Sequence, residues 1–327
     1  MPKAVMKRTA LMLSWLVFSS VPALSWNGFG HMEVAAVAWD RLSDKPQIQA
    51  RITQLLMRNP LYDSWTRDQP DDIREKVGFM RAATWPDIIK GDGQHVEDGA
   101  PGSHGNRPTG TPDDFLNIGY SDNRMHKYWH FIDKPFSPDH TRLLQPEEPN
   151  AQSRIALFRR TLASDSGVDD GVRSYDLTWL LHLVGDVHQP LHATSRFTHA
   201  HDGGDEGGNL VKIRCGQRIE VFCQSGGLHT FWDDLLGPTD GPPERVIHAQ
   251  GGLEDPDENL ASNTDEAVWI KESFEAAQAV AYAAPIPTDD QPAKLTATYK
   301  RIALAKAEER VALAGARLAK LLELALR

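Results

Sequence analysis

Within eleven residues, His182-Leu-Val-Gly-Asp186-Val-His188-Gln-Pro190-Leu-His192 sets out four potential metal ligands and a helix breaker. His182 and Asp186 are four apart, so on a helix both side chains leave one face, one turn apart. Pro190 is unsuited to a helix interior, which predicts a helix end near Val187 or His188 and aims His192 toward a different position. One segment could then serve two neighbouring ions, as a multinuclear hydrolase requires. His229-Thr-Phe-Trp-Asp233 repeats the His/Asp spacing, and Trp129-His130-Phe131-Ile132-Asp133 puts a histidine among apolar residues, where an imidazole needs a partner. Thr84-Trp85-Pro86-Asp87 places a carboxylate at an expected helix start, and Trp26 and His31 flank what reads as a Gly-rich turn.

Each piece has an ordinary explanation. A histidine on an apolar face is often a satisfied core residue, and His/Asp pairs at this spacing occur on unremarkable helices. The order Asp, His, His-x3-Asp-x5-His, His-x3-Asp in one chain is far harder to obtain by accident. The mixture of nitrogen and oxygen donors suits zinc. Thiolate ligands are not expected, because the 327 residues include 13 histidines but only two cysteines, Cys215 and Cys223. In an oxidising compartment that pair forms one disulfide or stays as two buried thiols; its spacing decides neither.

The first 25 residues read as an export signal. Lys3, Lys7 and Arg8 precede an apolar stretch from Ala10 to Val21, and Ala23-Leu24-Ser25 offers small residues for cleavage. The apolar stretch is too short for a permanent anchor, and no later one is long enough to span a bilayer. Cleavage at Ser25/Trp26 leaves 302 residues with Trp26 first, and loss of three basic residues takes the formal charge from −10 to −13. A secreted or periplasmic monomer without stable membrane association or a protein partner is the expectation. Such an acidic surface argues against gripping nucleic acid through a broad basic patch, but not through bound metal ions.

Apolar periodicity predicts helices over Glu33–Leu42, Ile48–Met57, Ala151–Ala163, Val172–His188, Leu228–Leu236, Asp265–Ala283 and Leu295–Leu326. Residues 91 to 124 read as a long loop, and 195 to 209 as a Gly-rich one. Leu210–Ile213 and Ile219–Phe222 predict a short β-hairpin around Gly216. With no repeat or linker, one all-α domain is expected over residues 26–327, after a signal peptide over 1–25.

The chain resembles the S1/P1 nuclease family, zinc-dependent single-strand nucleases of the phospholipase C/P1 nuclease superfamily. The matching pieces are Trp26 with His31, Trp85-Pro-Asp87, His130-Phe-Ile-Asp133, His182-Leu-Val-Gly-Asp186, Gln189-Pro-Leu-His192, Gly207-Gly-Asn209, His229-Thr-Phe-Trp-Asp233 and Ala314-Gly-Ala-Arg-Leu-Ala-Lys-Leu-Leu322. The resemblance implies that superfamily's helical fold and three zinc ions. One would take Asp87, His130, His182 and Asp186, and a second His192, His229 and Asp233. The third would take His31, Asp186 as a bridge, and the amino nitrogen and carbonyl of Trp26.

The same resemblance implies hydrolysis of single-stranded RNA and DNA to 5′-phosphorylated products, with 3′-nucleotidase activity on nucleotides. Metal-activated water would attack phosphorus in line, and the remaining ion would stabilise the departing 3′ oxygen. Asp87, Lys90 and Asp186 would be catalytic, and Phe131, Asp133 and Asn209 would meet substrate. Phe131 would stack a base, although core packing explains it too; Asp133 would accept from a base edge or serve as a cap or salt-bridge partner. Lys90 stands where the family commonly carries Arg, keeping the charge but losing the two-pronged fork. His199 and His201 are extra loop histidines, solvated or in contact with substrate or metal.

Two other readings remain at this point. A phospholipase C of the same superfamily usually has a longer gap between its N-terminal Trp and first His, and Glu as last ligand; Trp26 to His31 is short here, and Asp233 is an aspartate. A zinc-storage protein would close its sites with four protein ligands each, whereas His192, His229 and Asp233 supply three.

Overall fold

The computed structural model describes residues 26–98, 119–214 and 227–327. The export signal, most of the 91–124 loop, the second arm of the expected hairpin, and Cys215 and Cys223 lie outside the described residues.

The fold is all-α. Its helices are α1 (Gly28–Arg41), α2 (Pro46–Leu56), α3 (Tyr62–Thr66), α4 (Arg74–Ala82), α5 (Trp85–Ile88), α6 (Ala151–Leu162), α7 (Asp170–Asp186), α8 (Leu228–Asp233), α9 (Pro243–Gln250), α10 (Glu258–Ala261), α11 (Glu266–Ala276) and α12 (Ala297–Ala325). α11 runs on into a wider π-helical turn over Ala277–Ala281. None of the described helices is long and apolar enough to cross a membrane.

α7 is the central element. Asp169 caps its first turn by accepting from the Gly171 and Val172 N–H groups, and every residue from Ser174 to Asp186 is buried. α1 packs against α12, α4, α9 and α7, and α6 against α7. Trp26, Trp129, Trp179, Trp232 and Trp269 are fully buried in the core. Burying one large apolar side chain stabilises by about 1.5–3 kcal/mol, so this aromatic interior is a main source of rigidity around the helices.

Two expectations need correction. Gly28 and Gly30 do not form a turn; they open α1, five residues earlier than periodicity suggested. The Asn27 side chain caps that start from the Phe29 and Gly30 N–H groups at 3.0 and 3.3 Å. The glycines serve close packing instead, since a Cβ on Gly30 would sit 3.0 Å from the Trp26 Cβ, and one on Gly28 2.9 Å from the Thr239 carbonyl. Periodicity could not see this, because glycine carries no apolar signal.

On the described side of the expected hairpin the structure shows a remote pairing; the other arm lies outside the described residues. Strand β3 (Ile213–Arg214) lies parallel to β4 (Ala293–Lys294), while Lys212 bridges Gly227. A second unforeseen pair joins β1 (Pro135–Phe136) to β2 (Ser195–Arg196). Two-residue strands are too short to leave an alternating pattern in sequence. The other helices that periodicity predicted fall within a few residues of expectation, except that α8 stops at Asp233 rather than Leu236, while α3, α4, α9 and α10 were not foreseen.

Candidate metal centre

α7 ends where Pro190 requires it to, and His192 falls in a 3-10 turn over Pro190–Ala193. His182 and Asp186 share one buried face of α7, with His182 Nε2 3.3 Å from Asp186 Oδ2. The Asp186 carboxylate points two ways. Oδ2 lies 3.1 Å from His130 Nδ1, and Oδ1 lies 3.3 Å from His31 Nε2. His31 reaches it because residue 185 is glycine: a Cβ there would sit 2.8 Å from His31 Nδ1. The His31 and His182 rings stack at 3.7 Å, and His182 Nε2 faces His130 Nδ1 at 2.9 Å.

Asp87, from α5, closes this side. Its Oδ1 lies 3.7 Å from His182 Nε2 and 3.9 Å from His130 Nδ1. Lys90, one turn on, donates to the same oxygen at 2.7 Å with its side chain only 4 % exposed. His31, His182 and Asp186 therefore make one group able to hold an ion, and Asp87, His130 and His182 a second.

The third group is His192, His229 and Asp233. Here the proton positions follow from the partners. A carbonyl only accepts, so His192 Nδ1 must donate to the His130 carbonyl at 2.8 Å, and His229 Nδ1 to the Gly207 carbonyl at 2.7 Å. Burial holds the His192 ring well below its ordinary pKa and the His229 ring at about 4, so both rings are neutral. Each neutral ring has spent its one N–H, and the two Nε2 lone pairs face each other at 3.0 Å.

Asp233 Oδ2 has no hydrogen-bond partner, while Gln189 Nε2 holds Oδ1 at 2.7 Å. Leaving one buried acceptor unmet costs about 1–3 kcal/mol, and several converge here. A divalent cation satisfies them together. The same logic extends to His182, whose Nδ1 donates to the Ala83 carbonyl at 2.7 Å and leaves Nε2 as an acceptor. Burial pushes His130 and His182 far down and His31 to about 4, which keeps these rings in the form that ligates.

Trp26 is buried beside the first turn of α1, and the Asn27 N–H donates to the Asp233 carbonyl at 3.3 Å. The start of the described chain is thus tied to a candidate ligand. Phe131 is partly buried against the core and, with Asp133, lines a pocket that also includes Tyr128, Glu147, Asn150 and Ser195. Burial, followed by Asp205, Glu206 and Glu147, raises the Asp133 carboxyl to about 7. This pocket adjoins the centre, because the Ile132 N–H donates to the His192 carbonyl at 2.8 Å.

Asn209 turns back on its own loop, donating from Nδ2 to the Glu206 carbonyl at 2.8 Å. The loop's bearing on the centre runs through Gly207, whose carbonyl receives His229 and whose φ of +61° places it there. Asp205 fixes this loop by accepting from the Arg196 and Gly208 N–H groups at 2.9 and 3.2 Å. Gln189 and Asp205 were not foreseen. Gln189 sat inside a quoted motif, but nothing local to it points to Asp233, 44 residues on. His199 pairs with Asp139 at 2.7 Å and His201 bridges Thr198, so both are engaged within surface loops.

Comparison with known proteins agrees with this geometry. The family described as S1/P1 Nuclease matches residues 26–327. Endonuclease 4 of Arabidopsis thaliana is 36 % identical over 87 residues, and Endonuclease 3 of the same plant 35 % over 89. Each alignment covers 25 % of this chain and 25 % of the relative, so the chain spans about a quarter of the length of the curated relatives it matches. With the family match running through every candidate ligand from His31 to Asp233, the chain belongs to the S1/P1 nuclease family.

Proposed function

We propose that this chain is an exported, zinc-dependent endonuclease that hydrolyses phosphodiester bonds of single-stranded RNA and DNA to 5′-phosphorylated products, with 3′-nucleotidase activity. The observation that carries this reading is the pair of opposed Nε2 lone pairs of His192 and His229 beside the unmet Asp233 Oδ2. That arrangement costs stability unless a cation fills it. Three zinc ions are proposed, held by Asp87, His130, His182 and Asp186; by His192, His229 and Asp233; and by His31, Asp186 and the amino end of Trp26.

Bound zinc supplies Lewis acidity and a water acidified toward neutrality. The residues do the rest. Asp186, with one oxygen toward His31 and the other toward His130 and His182, holds two neighbouring positions in register. Lys90 orients Asp87 and keeps its remaining N–H groups for a phosphoryl oxygen. Phe131 offers an aromatic face to a nucleobase, worth about 1–3 kcal/mol per stacked base, and only an unpaired base can use it. Asp133 accepts from a base edge when ionised and donates to one when protonated.

Export underlies the Trp26 assignment, since removing residues 1–25 turns a poorly ligating amide into an amine. The test is metal analysis of protein beginning at Trp26, paired with cleavage assays on homopolymeric single-stranded RNA and DNA and on phosphatidylcholine. Zinc-dependent release of 5′-phosphorylated fragments is expected. Lipid cleavage without nuclease activity overturns the reading in favour of a phospholipase C.

A further inference from the structure

His188 sits in the middle of the His182–His192 run, yet it belongs to none of the three groups. Its ring is fully buried and meets α12 instead. Nδ1 donates to the Val184 carbonyl at 2.7 Å, which leaves Nε2 as an acceptor. Arg317 of α12 meets it, with Nη1 at 3.1 Å. Glu272 of α11 grips Arg317 by both prongs, at 2.6 and 2.8 Å.

Arg310 lies two turns earlier on α12 and shares Glu272 Oε2 at 3.0 Å. Its Nε donates to the His188 carbonyl at 3.2 Å, and its Nη2 donates to Ser273 Oγ at 2.8 Å. Ser273 in turn donates to the Val187 carbonyl at 2.6 Å. The end of a helix leaves carbonyls without partners inside the helix. Backbone N–H groups of Val187, His188 and Gln189 meet the Leu183, Gly185 and Asp186 carbonyls, and side chains from α11 and α12 meet the next two, those of Val187 and His188. Two guanidinium groups face one carboxylate here, and their surplus charge lies against the negative end of α7, where a cation is favoured.

The same stretch of α12 also sets α1. Gly315 lies between Arg310 and Arg317, and a Cβ there would come within 2.5 Å of the Val37 Cβ and 2.8 Å of the Val34 carbonyl. α12 therefore holds both helices whose meeting brings His31 to Asp186. The turn it caps, Val187 to Gln189, separates Asp186 from His192, and Gln189 itself steadies Asp233.

We propose that His188 and Arg317 are positioning residues of the metal centre: the α11–α12 network fixes the turn between Asp186 and His192, and so the separation of the ion sites those two ligands serve. The proposal rests on the zinc reading above. It gives roles to two sequence features otherwise without one, His188 and the Ala314–Leu322 motif that contains Arg317.

The test uses the full chain beginning at Trp26, with His188→Leu, His188→Gln and Arg317→Lys. Zinc affinity is measured by chelator competition, the sites are read by visible absorption of the cobalt(II)-loaded protein, and the melting temperature is recorded alongside. His188→Leu should bind its weakest zinc about 10–100-fold less tightly, the range seen when groups supporting metal ligands are removed, and should alter the cobalt spectrum. His188→Gln keeps an acceptor and should recover most of both. Should His188→Leu fail to fold, Arg317→Lys, which retains the buried charge without the fork, should shift both readouts in the same direction.

Wild-type zinc affinity and cobalt spectrum in the folded variants overturn the proposal, even if the melting temperature falls. A wild-type protein that takes up neither zinc nor cobalt overturns the zinc reading as well, so the two failures are told apart by the wild-type control.

Discussion

Two buried clusters of histidine and aspartate lie close together in this fold, and they are wired in opposite ways. In one, His126 stands between two carboxylates: Nδ1 lies 3.1 Å from Asp98 Oδ1, and Nε2 pairs closely with Asp122 Oδ2. Its ring stacks on Trp129 at 3.6 Å, the planes 1° apart. In the other, around His192 and His229, the ring protons are spent on backbone carbonyls and the remaining nitrogens oppose one another.

The pKa directions follow. Burial alone would lower His126, but Asp122 and Asp98 outweigh it and the value rises, whereas burial carries His192 well down. The first cluster sets its ring between two carboxylates of its own; the second sets two lone pairs against each other, an arrangement a cation would satisfy. Residue type does not separate a structural histidine from a ligand. What its two nitrogens face does: carboxylates on both sides for His126, an arginine for His188, and opposed lone pairs for His192 and His229.

The contrast is broken most severely at Asp186. Asp186→Asn should lower phosphodiester cleavage by roughly 10³-fold, on the scale of losing a preorganised electrostatic group, and should reduce zinc per chain. Cleavage and zinc content at wild-type levels would place the centre elsewhere. Next in size is His126→Gln, whose expected cost is in folding: about 3 kcal/mol, as when one partner of a buried ion pair is removed, with zinc per chain unchanged.

That second effect has a pH signature. The folded pKa of His126 lies above its ordinary 6.5, so the stability it adds is fully present below pH 6.5 and is lost as pH rises through the raised value. Denaturant titrations of wild type and His126→Gln should therefore differ most in acid and converge in alkali. A gap that widens with pH contradicts the assignment of a charged His126.

A single extra residue before Trp26 sharpens the picture of the centre at smaller cost. If the Trp26 amine is a ligand, as proposed, the added residue should lower zinc affinity by about 10-fold, since an amide nitrogen would replace an amine at one site only, while His126 and its cluster are untouched. Titration with zinc and a competing chelator reads this directly, and unchanged affinity removes Trp26 from the ligand set. Smallest is Lys90→Arg. Both side chains carry the charge beside Asp87, and the fork adds one directed bond, so steady-state cleavage rates should change by about 3-fold or less.

Much of the site was legible in sequence because its signals are short-range. His182 and Asp186, and again His229 and Asp233, lie one helical turn apart, and Pro190 marks where α7 must stop. The apolar faces of α2, α6 and α12 likewise announce themselves locally. Gly28 and Gly30 misled, because their place in α1 depends on contacts with Trp26, Thr239 and Leu236. The β3–β4 pairing was not foreseen for a similar reason, since it joins residues 213 and 293 across several helices.

The sequence alone determined which donors are present, their order along the chain, and the helical phase that sets His182 beside Asp186. Those follow from the helical period and from the chemistry of proline, histidine and aspartate. Only the tertiary structure decided which nitrogen of each ring is left to ligate. The carbonyls that take the ring protons belong to Ala83, His130 and Gly207, which lie 99, 62 and 22 residues from their histidines. A hydrogen bond across such distances leaves no periodic trace in sequence, yet it decides which nitrogen of each of these three rings is left as a lone pair.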